Sequence, residues 1–262
     1  MILCLDVGNT HIFGGVFAED SLLLRFRHAT CNNITSDQLG VFLKTVIYEN
    51  NLNYQQINAI ALCSVVPSID YSLRAACKKY FHLNPFILQA GVKTEIKIKT
   101  KNPLEVGTDI IAEVIAATKL YPQKNLIILD LGTVTTITAV TKNKELLGVT
   151  LIPGMATAMR ALPASTAKLF PVEIIKPEKV IGRSTIESTQ AGLFFGQLGA
   201  IKEIVAQSIQ EAFPQENPEL VATGGFAQLF TQEKIFDHIE PDLVLHGIKF
   251  AYSLNQHLLK NE

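Results

Sequence analysis

The chain has 262 residues, of which 48% are hydrophobic and 18% charged, a profile that excludes a disordered chain. Its 23 basic and 24 acidic residues leave a formal net charge of −1 with no basic block, so no nucleic-acid partner is expected. No apolar run approaches about 18 residues without a charge, and the start MILCLDVGNT has no basic leader segment, so neither a membrane span nor a secretion signal is expected.

Ile2 to Asp6 is a short apolar run that ends in an Asp-x-Gly turn, which predicts a buried strand feeding a tight loop. His11 to Phe17 and Leu22 to His28 predict two further strands in an antiparallel meander, with the turn near Glu19-Asp20. Asp37 to Tyr48 has helical spacing, and Thr35-Ser36-Asp37 offers caps. Ile57 to Val66 reads as a strand. Tyr71 to Phe81 reads as a helix with Arg74, Lys78 and Lys79 on its wet side. Lysines alternate with other residues from Lys93 to Lys101, as an exposed edge or loop would have them.

The pattern then restarts. Leu126 to Asp130 is a second apolar run ending in Asp-x-Gly, and strands follow at Val134 to Val140 and Leu146 to Ile152. Helices are expected near Met155 to Leu162, over Ile186 to Ala212 and over Lys249 to Leu259. Leu220 to Ala222 is a strand leading into Thr223-Gly224-Gly225. The repetition predicts an α/β chain of two similar lobes around a nucleotide cleft, residues 1–121 and 122–262, joined near Tyr121-Pro122-Gln123.

Each half thus delivers an aspartate into a small loop: Asp6-Val7-Gly8-Asn9-Thr10 and Asp130-Leu131-Gly132-Thr133. Glycines let backbone N–H groups approach phosphate oxygens, small hydroxyl and amide side chains donate to them, and the carboxylates can hold a cation. A plain strand-to-turn corner explains either loop alone; the pair in matching places points to polyphosphate. Gly224-Gly225 opens space for a flat nucleoside. No Walker loop, no G-x-G-x-x-G and no protein-kinase motif set is present. Gly14-Gly15 reads as a place where backbone passes close to a ligand or another strand. Cys4, Cys31, Cys63 and Cys77 show no ligand spacing and sit in or near apolar runs, so buried free thiols and a cytoplasmic location are expected. The histidines show no metal-ligand spacing; His11 beside the first loop reads equally as phosphate-side or structural.

The order of these motifs resembles the actin, hsp70 and sugar-kinase superfamily, with its duplicated ribonuclease H-like (actin-like ATPase) fold. Within it the chain resembles type III pantothenate kinases. The residues that carry the likeness are Asp6 to Thr10, Ser64-Val65-Val66-Pro67, Asn102-Pro103 with Gly107-Thr108-Asp109, and Asp130 to Thr133. Further on they are Ile152-Pro153-Gly154, Gly182 to Thr185, Gln190-Ala191-Gly192 and Thr223-Gly224-Gly225. The resemblance implies transfer of the ATP γ-phosphate to pantothenate, the first step of coenzyme A synthesis.

It also implies residue roles. Asp6, Val7, Gly8, Asn9, Thr10, His11, Ile12 and Phe13 line the ATP phosphates, with Asp6 helping to hold Mg²⁺. Thr133, Gly224 and Gly225 also contact ATP. Asp130 binds a monovalent cation, K⁺ or NH₄⁺. Thr100, Gly107, Thr108, Asp109, Ile110 and Thr185 contact pantothenate, with Asp109 as general base, and Thr185 serves from the neighbouring subunit of a homodimer. Read without the resemblance, Asp109 is a helix cap.

Two positions depart from the family pattern. Ile110 stands where an Arg usually follows the Gly-x-Asp, and Thr100 where a Tyr usually precedes the Asn-Pro; Lys99, Lys101 or Arg160 are candidate substitutes for the lost charge. Two other readings stay open at this point: a non-catalytic relative resembling transcriptional accessory factors, and a kinase for another small alcohol.

Overall fold

The computed structural model describes residues 1–166 and 168–259. The chain divides into two compact units. The first contains residues 1–96, 102–116 and the stretch from Leu243; the second contains 97–101 and 117–242.

In the first unit, β1 (Ile2–Val7), β2 (His11–Ala18) and β3 (Ser21–Ala29) form an antiparallel meander. Parallel to β1 lie β4 (Ala59–Ser64) and then β5 (Phe86–Ile87), giving the order β3-β2-β1-β4-β5. Alternation along β1 sends Leu3, Leu5 and Val7 to one face and Ile2, Cys4 and Asp6 to the other. Leu3, Leu5 and Val7 share a core with α1 (Ser36–Glu49) and α2 (Pro67–Ala76). Ile2 and Cys4 share a second core with Ala112 and Ile115 of α3 (Thr108–Leu120) and Leu245 and Ile248 of α6 (Leu243–Leu259). The sheet is therefore buried on both faces, which is why its strands read as nearly continuous apolar runs.

In the second unit, β7 (Leu126–Leu131), β8 (Val134–Val140) and β9 (Glu145–Pro153) repeat the meander. Parallel to β7 come β10 (Glu219–Thr223) and β11 (His238–Ile239). The order is β11-β10-β7-β8-β9, extended by β6 (Lys97–Ile98) at the edge beside β9. Ile127, Leu129 and Leu131 pack with Met155 and Met159 of α4 (Met155–Ser165) and with Phe194, Leu198 and Ile201 of α5 (Thr185–Ala212). The lysine-rich stretch is an edge: β6 holds its place by backbone pairing, and Lys93, Lys97, Lys99 and Lys101 are exposed.

Local chemistry explains several boundaries. Thr35 caps α1 in a capping box, accepting from the Gln38 N–H at 3.2 Å while its own N–H donates to Gln38 Oε1 at 2.9 Å. The second helix starts at Pro67, ahead of the expected Tyr71, because proline is tolerated at the first helical position. It passes at Cys77 into a short π-helical turn that ends at the left-handed His82. The last helix starts at Leu243 rather than Lys249. Gly247 inside it does not stop the helix; a Cβ there would collide with the Ala112 carbonyl of α3, so the glycine is what lets the two backbones touch. Gly14 and Gly15 are likewise explained by packing: the Phe26 ring fills the space above Gly14, and Leu245 and Leu22 that above Gly15. Of the four cysteines, Cys4, Cys63 and Cys77 are free and buried, but Cys31 is exposed in the loop after β3, against expectation. Among the described residues no helix is long and apolar enough to cross a membrane.

Candidate active site

The first cluster lies at the carboxy-terminal end of β1. Asp6 pairs in register with Phe13 of β2 and Cys63 of β4, and Phe13 pairs with Arg27 of β3. Directly opposed residues share a face, so Arg27, Phe13, Asp6 and Cys63 form one row across four strands. The Cys63 thiol donates to Asp6 Oδ1 at 3.3 Å, and the Arg27 guanidinium lies 4.0 Å from the centre of the Phe13 ring. The loop beyond β1 is closed by the Gly8 N–H donating to the His11 carbonyl at 3.0 Å. Thr30 ties it down, its hydroxyl donating to the Gly8 carbonyl at 2.6 Å and its N–H to Thr10 at 3.0 Å. Asn9 and His11 are exposed, whereas the side chains of Val7, Ile12 and Phe13 are buried. From that trio only the backbone can face a ligand.

The start of α3 comes to the same row. The Thr108 hydroxyl donates to the Ser64 carbonyl at 3.2 Å, and Ser64 follows Cys63 at the end of β4. The Asp109 carboxylate accepts from the Ile110 N–H at 2.8 Å, and a Cβ on Gly107 would collide with that carboxylate. Burial raises the Asp109 pKa above the ordinary carboxylate value. Asp6 is pushed up to about 7, first by burial and then by the Asp109 charge, against the pull of the Cys63 thiol and of Arg27. Burial and these two carboxylates keep the Cys63 thiol protonated, so it acts as a donor. Both acids are therefore held above the ordinary carboxylate range, Asp6 by burial and the Asp109 charge and Asp109 by burial.

In the second unit, Asp130 pairs with Thr136 of β8 and Thr223 of β10. Gly224 has φ +88°, and a Cβ there would collide with the Asp130 carboxylate and the Leu131 backbone. The Phe226 N–H donates to the Leu131 carbonyl at 3.0 Å, which folds the Gly224-Gly225 turn over the end of β7. Thr133 is fixed through its carbonyl, which accepts from the Thr157 hydroxyl at 2.6 Å and the Gly154 N–H at 3.2 Å. Gly154 has no room for a side chain because the Gly132 and Thr133 carbonyls press on it.

The residues suit the groups such a site needs. Asp6 and Asp109 bring two half-buried carboxylates of like charge to one end of the sheet, a place where a divalent cation would offset that charge. Among the described residues no cluster of three or more His, Cys, Asp or Glu could enclose an ion by itself. Mg²⁺ fits that situation, since it is commonly held by one or two carboxylates together with phosphate oxygens and water.

A model of the type III pantothenate kinase family matches residues 2–207. A type III pantothenate kinase from Legionella pneumophila (strain Corby) is 54% identical over 255 residues, covering 97% of this chain and 99% of the relative. The chain belongs to the type III pantothenate kinase family. It is an ATP-dependent kinase that phosphorylates pantothenate, the first step of coenzyme A biosynthesis. Among solved structures it resembles a Campylobacter jejuni protein named for the Baf family of transcriptional activators, with TM-score 0.61, 18% identity and coverage of 97% and 99% of the two chains. It also resembles an archaeal actin homolog, with TM-score 0.53, 12% identity and coverage of 96% and 99%. Those likenesses place the fold among the actin-like ATPases.

For a type III pantothenate kinase, the positions that depart from the family pattern have clear local settings. Ile110 gives its N–H to Asp109, and its side chain carries no charge. Thr100 lies beside β6 in the second unit, and its hydroxyl is buried with no hydrogen-bond partner. Of the candidate substitutes, Lys99 pairs with Glu145 at 3.4 Å and Arg160 donates to the Thr157 hydroxyl at 3.4 Å. Thr185 is the first residue of α5, behind the Ser184 cap that accepts from the Glu187 N–H at 3.2 Å. It lines a cavity of about 1110 Å³ in the second unit, walled by α4 and α5 and including Thr157, the partner of Thr133.

The sequence reading did not single out Cys63, Arg27, Thr30 or Thr157 as site residues. Strand alternation held part of the signal: Arg25, Arg27 and Ala29 share the face of β3 that runs in register with Phe13. The register itself comes only from the meander.

Proposed function

We propose that Asp109 is the general base of the pantothenate kinase reaction. The observation that carries this is the convergence of the Asp6 and Asp109 carboxylates at the ends of β1 and β4. The primary alcohol of pantothenate is a weak nucleophile at neutral pH. A carboxylate whose pKa is lifted by burial suits the acceptance of its proton. The backbone N–H of Ile110 orients that carboxylate, and Gly107 leaves it room.

The remaining roles divide between the units. In the first, the loop from Asp6 to Phe13 takes the polyphosphate of ATP, with Asp6 sharing a Mg²⁺ that neutralises phosphate charge. Gly107 and Thr108 position pantothenate beside Asp109. In the second, Thr133 and the Gly224-Gly225 turn contact the nucleotide, and Asp130 holds K⁺ or NH₄⁺. The protein acts as a homodimer in which Thr185 reaches the pantothenate of the neighbouring subunit, and Thr100 lies on the pantothenate side as well. A cytoplasmic location agrees with buried thiols at Cys4, Cys63 and Cys77.

The test is Asp109→Asn assayed by pantothenate-dependent ADP release, with ATP binding measured in parallel. The expected result is a kcat lower by about 10²–10⁴-fold with ATP binding retained. Undiminished turnover in that variant would remove Asp109 as the base.

A further inference from the structure

We propose that Arg27 is a substrate-contacting residue of this kinase, meeting the polyphosphate of ATP from the β3 side of the Asp6 loop. The proposal rests on the reading that this loop takes the polyphosphate.

Three observations carry it. First, register puts Arg27 in the row of Asp6: Arg27 opposes Phe13, and Phe13 opposes Asp6. Second, the guanidinium is held in place without being neutralised. It lies 4.0 Å from the Phe13 ring centre, and among the described residues no hydrogen bond or ion pair occupies its donors. Phe13 is a fixed platform, itself buried in the core between the sheet and its covering helices. Third, β3 is joined to the loop itself, three residues further on, through the two hydrogen bonds from Thr30 to Gly8 and Thr10.

The chemistry requires such a group. The end of β1 presents two carboxylates, and a nucleoside triphosphate brought there meets charge of its own sign. A metal offsets part of this. A planar guanidinium offers several N–H donors in a fork that matches phosphate oxygens, and stacking on an aromatic ring removes much of its freedom before the ligand arrives.

The geometry also assigns the side from which it works. Asp109 joins the row from β4, through the Thr108–Ser64 hydrogen bond, whereas Arg27 joins from β3. The β1 strand and its loop lie between them. The base and the guanidinium therefore flank the loop, which fits Arg27 to the phosphoryl donor rather than to the alcohol being phosphorylated. Arg27 thus does not replace the charge absent at Ile110, which lies next to Asp109.

The experiment compares Arg27→Gln and Arg27→Lys with the unaltered protein. It measures kcat, KM for each substrate, calorimetric binding of a non-hydrolysable ATP analogue with Mg²⁺, and melting temperature. The expected result for Arg27→Gln is a kcat/KM for ATP lower by about 10²–10³-fold and weaker analogue binding, with KM for pantothenate and melting temperature unchanged. Arg27→Lys recovers part of the loss, because it restores charge without the fork. Unaltered ATP parameters in Arg27→Gln overturn the proposal. So does a loss confined to KM for pantothenate, which would assign Arg27 to the acceptor. If the unaltered protein released no ADP with pantothenate, the kinase reading would fall, and the analogue-binding comparison would still decide Arg27.

Discussion

The ends of β1 and β7 are two versions of one design, and they differ where chemistry is needed. Both strands are six residues long with the aspartate in fifth place, and each lies between an antiparallel and a parallel neighbour in the same order. The loop after β1, residues 8–10, is one residue longer than that after β7, residues 132–133. Beside Asp6 the parallel strand brings the Cys63 thiol, and the chain then turns into α2, leaving room for Asp109. Beside Asp130 the parallel strand brings Thr223, and the Gly224 backbone closes over the carboxylate. One copy accumulates acids and retains a proton; the other is a close-fitting backbone cradle. The proposed roles follow that difference, with proton transfer assigned to the first copy and the flat-ligand contact to the second.

That contrast can be broken most strongly at the aspartates. Asp6→Asn is expected to lower turnover by about 10²–10³-fold through lost Mg²⁺ and phosphate positioning, measured in the steady state at saturating pantothenate. Asp130→Asn should instead raise the K⁺ needed for half activation by about tenfold or more. Equal effects of the two substitutions on Mg²⁺ and K⁺ dependence would dissolve the division of labour.

Backbone substitutions sharpen it next. Gly224→Ala places a Cβ at φ +88° against Asp130, and should cost about 2–4 kcal/mol in denaturant unfolding and weaken ATP binding. The pH dependence of the ligand-free protein should follow. The folded Asp6 holds its proton to about 7, while in the unfolded chain it ionises near 3.8, so the folded state binds more protons between those values. Stability should therefore fall as pH rises from about 4 to 7, by about 1–3 kcal/mol after allowance for partial exposure, and Asp6→Asn should flatten that slope. Thermal melting at pH 5 and pH 8 with both proteins checks this. The smallest effect is expected from Gly225→Ala. A Cβ there meets nothing, so stability should change by no more than about 0.5 kcal/mol.

Much of this was visible in the amino-acid order. The apolar runs ending in Asp-x-Gly marked β1 and β7, and the long periodic stretch after Ser184 marked α5, because both depend on patterns that one chain segment carries alone. The two-residue strands β5, β6 and β11 were not legible, since backbone pairing at a sheet edge leaves no side-chain period. The helices that begin at Pro67 and Leu243 start earlier than their apolar spacing suggests, with Pro67 at a tolerated first position and Gly247 at a backbone contact. At the site, the loops and Asp109 were legible as motifs. Arg27 and Cys63 were not, because their roles arise from cross-strand register rather than from neighbours in sequence.

The contribution of α6 to the first unit has a consequence for how the protein is made. Residues 1–116 supply β1, β2 and β4, but the apolar face carrying Ile2, Cys4 and Phe17 is completed by Leu245, Ile248 and Ala251. During translation the ribosome must deliver the whole second unit before that cover exists. The earlier-made sheet waits half-clad while the later-made one, continuous from Ala117 to Asp242 apart from a short edge strand, can close first. Vectorial synthesis thus reverses the order of the chain, and the nascent sheet is where a chaperone would find its grip.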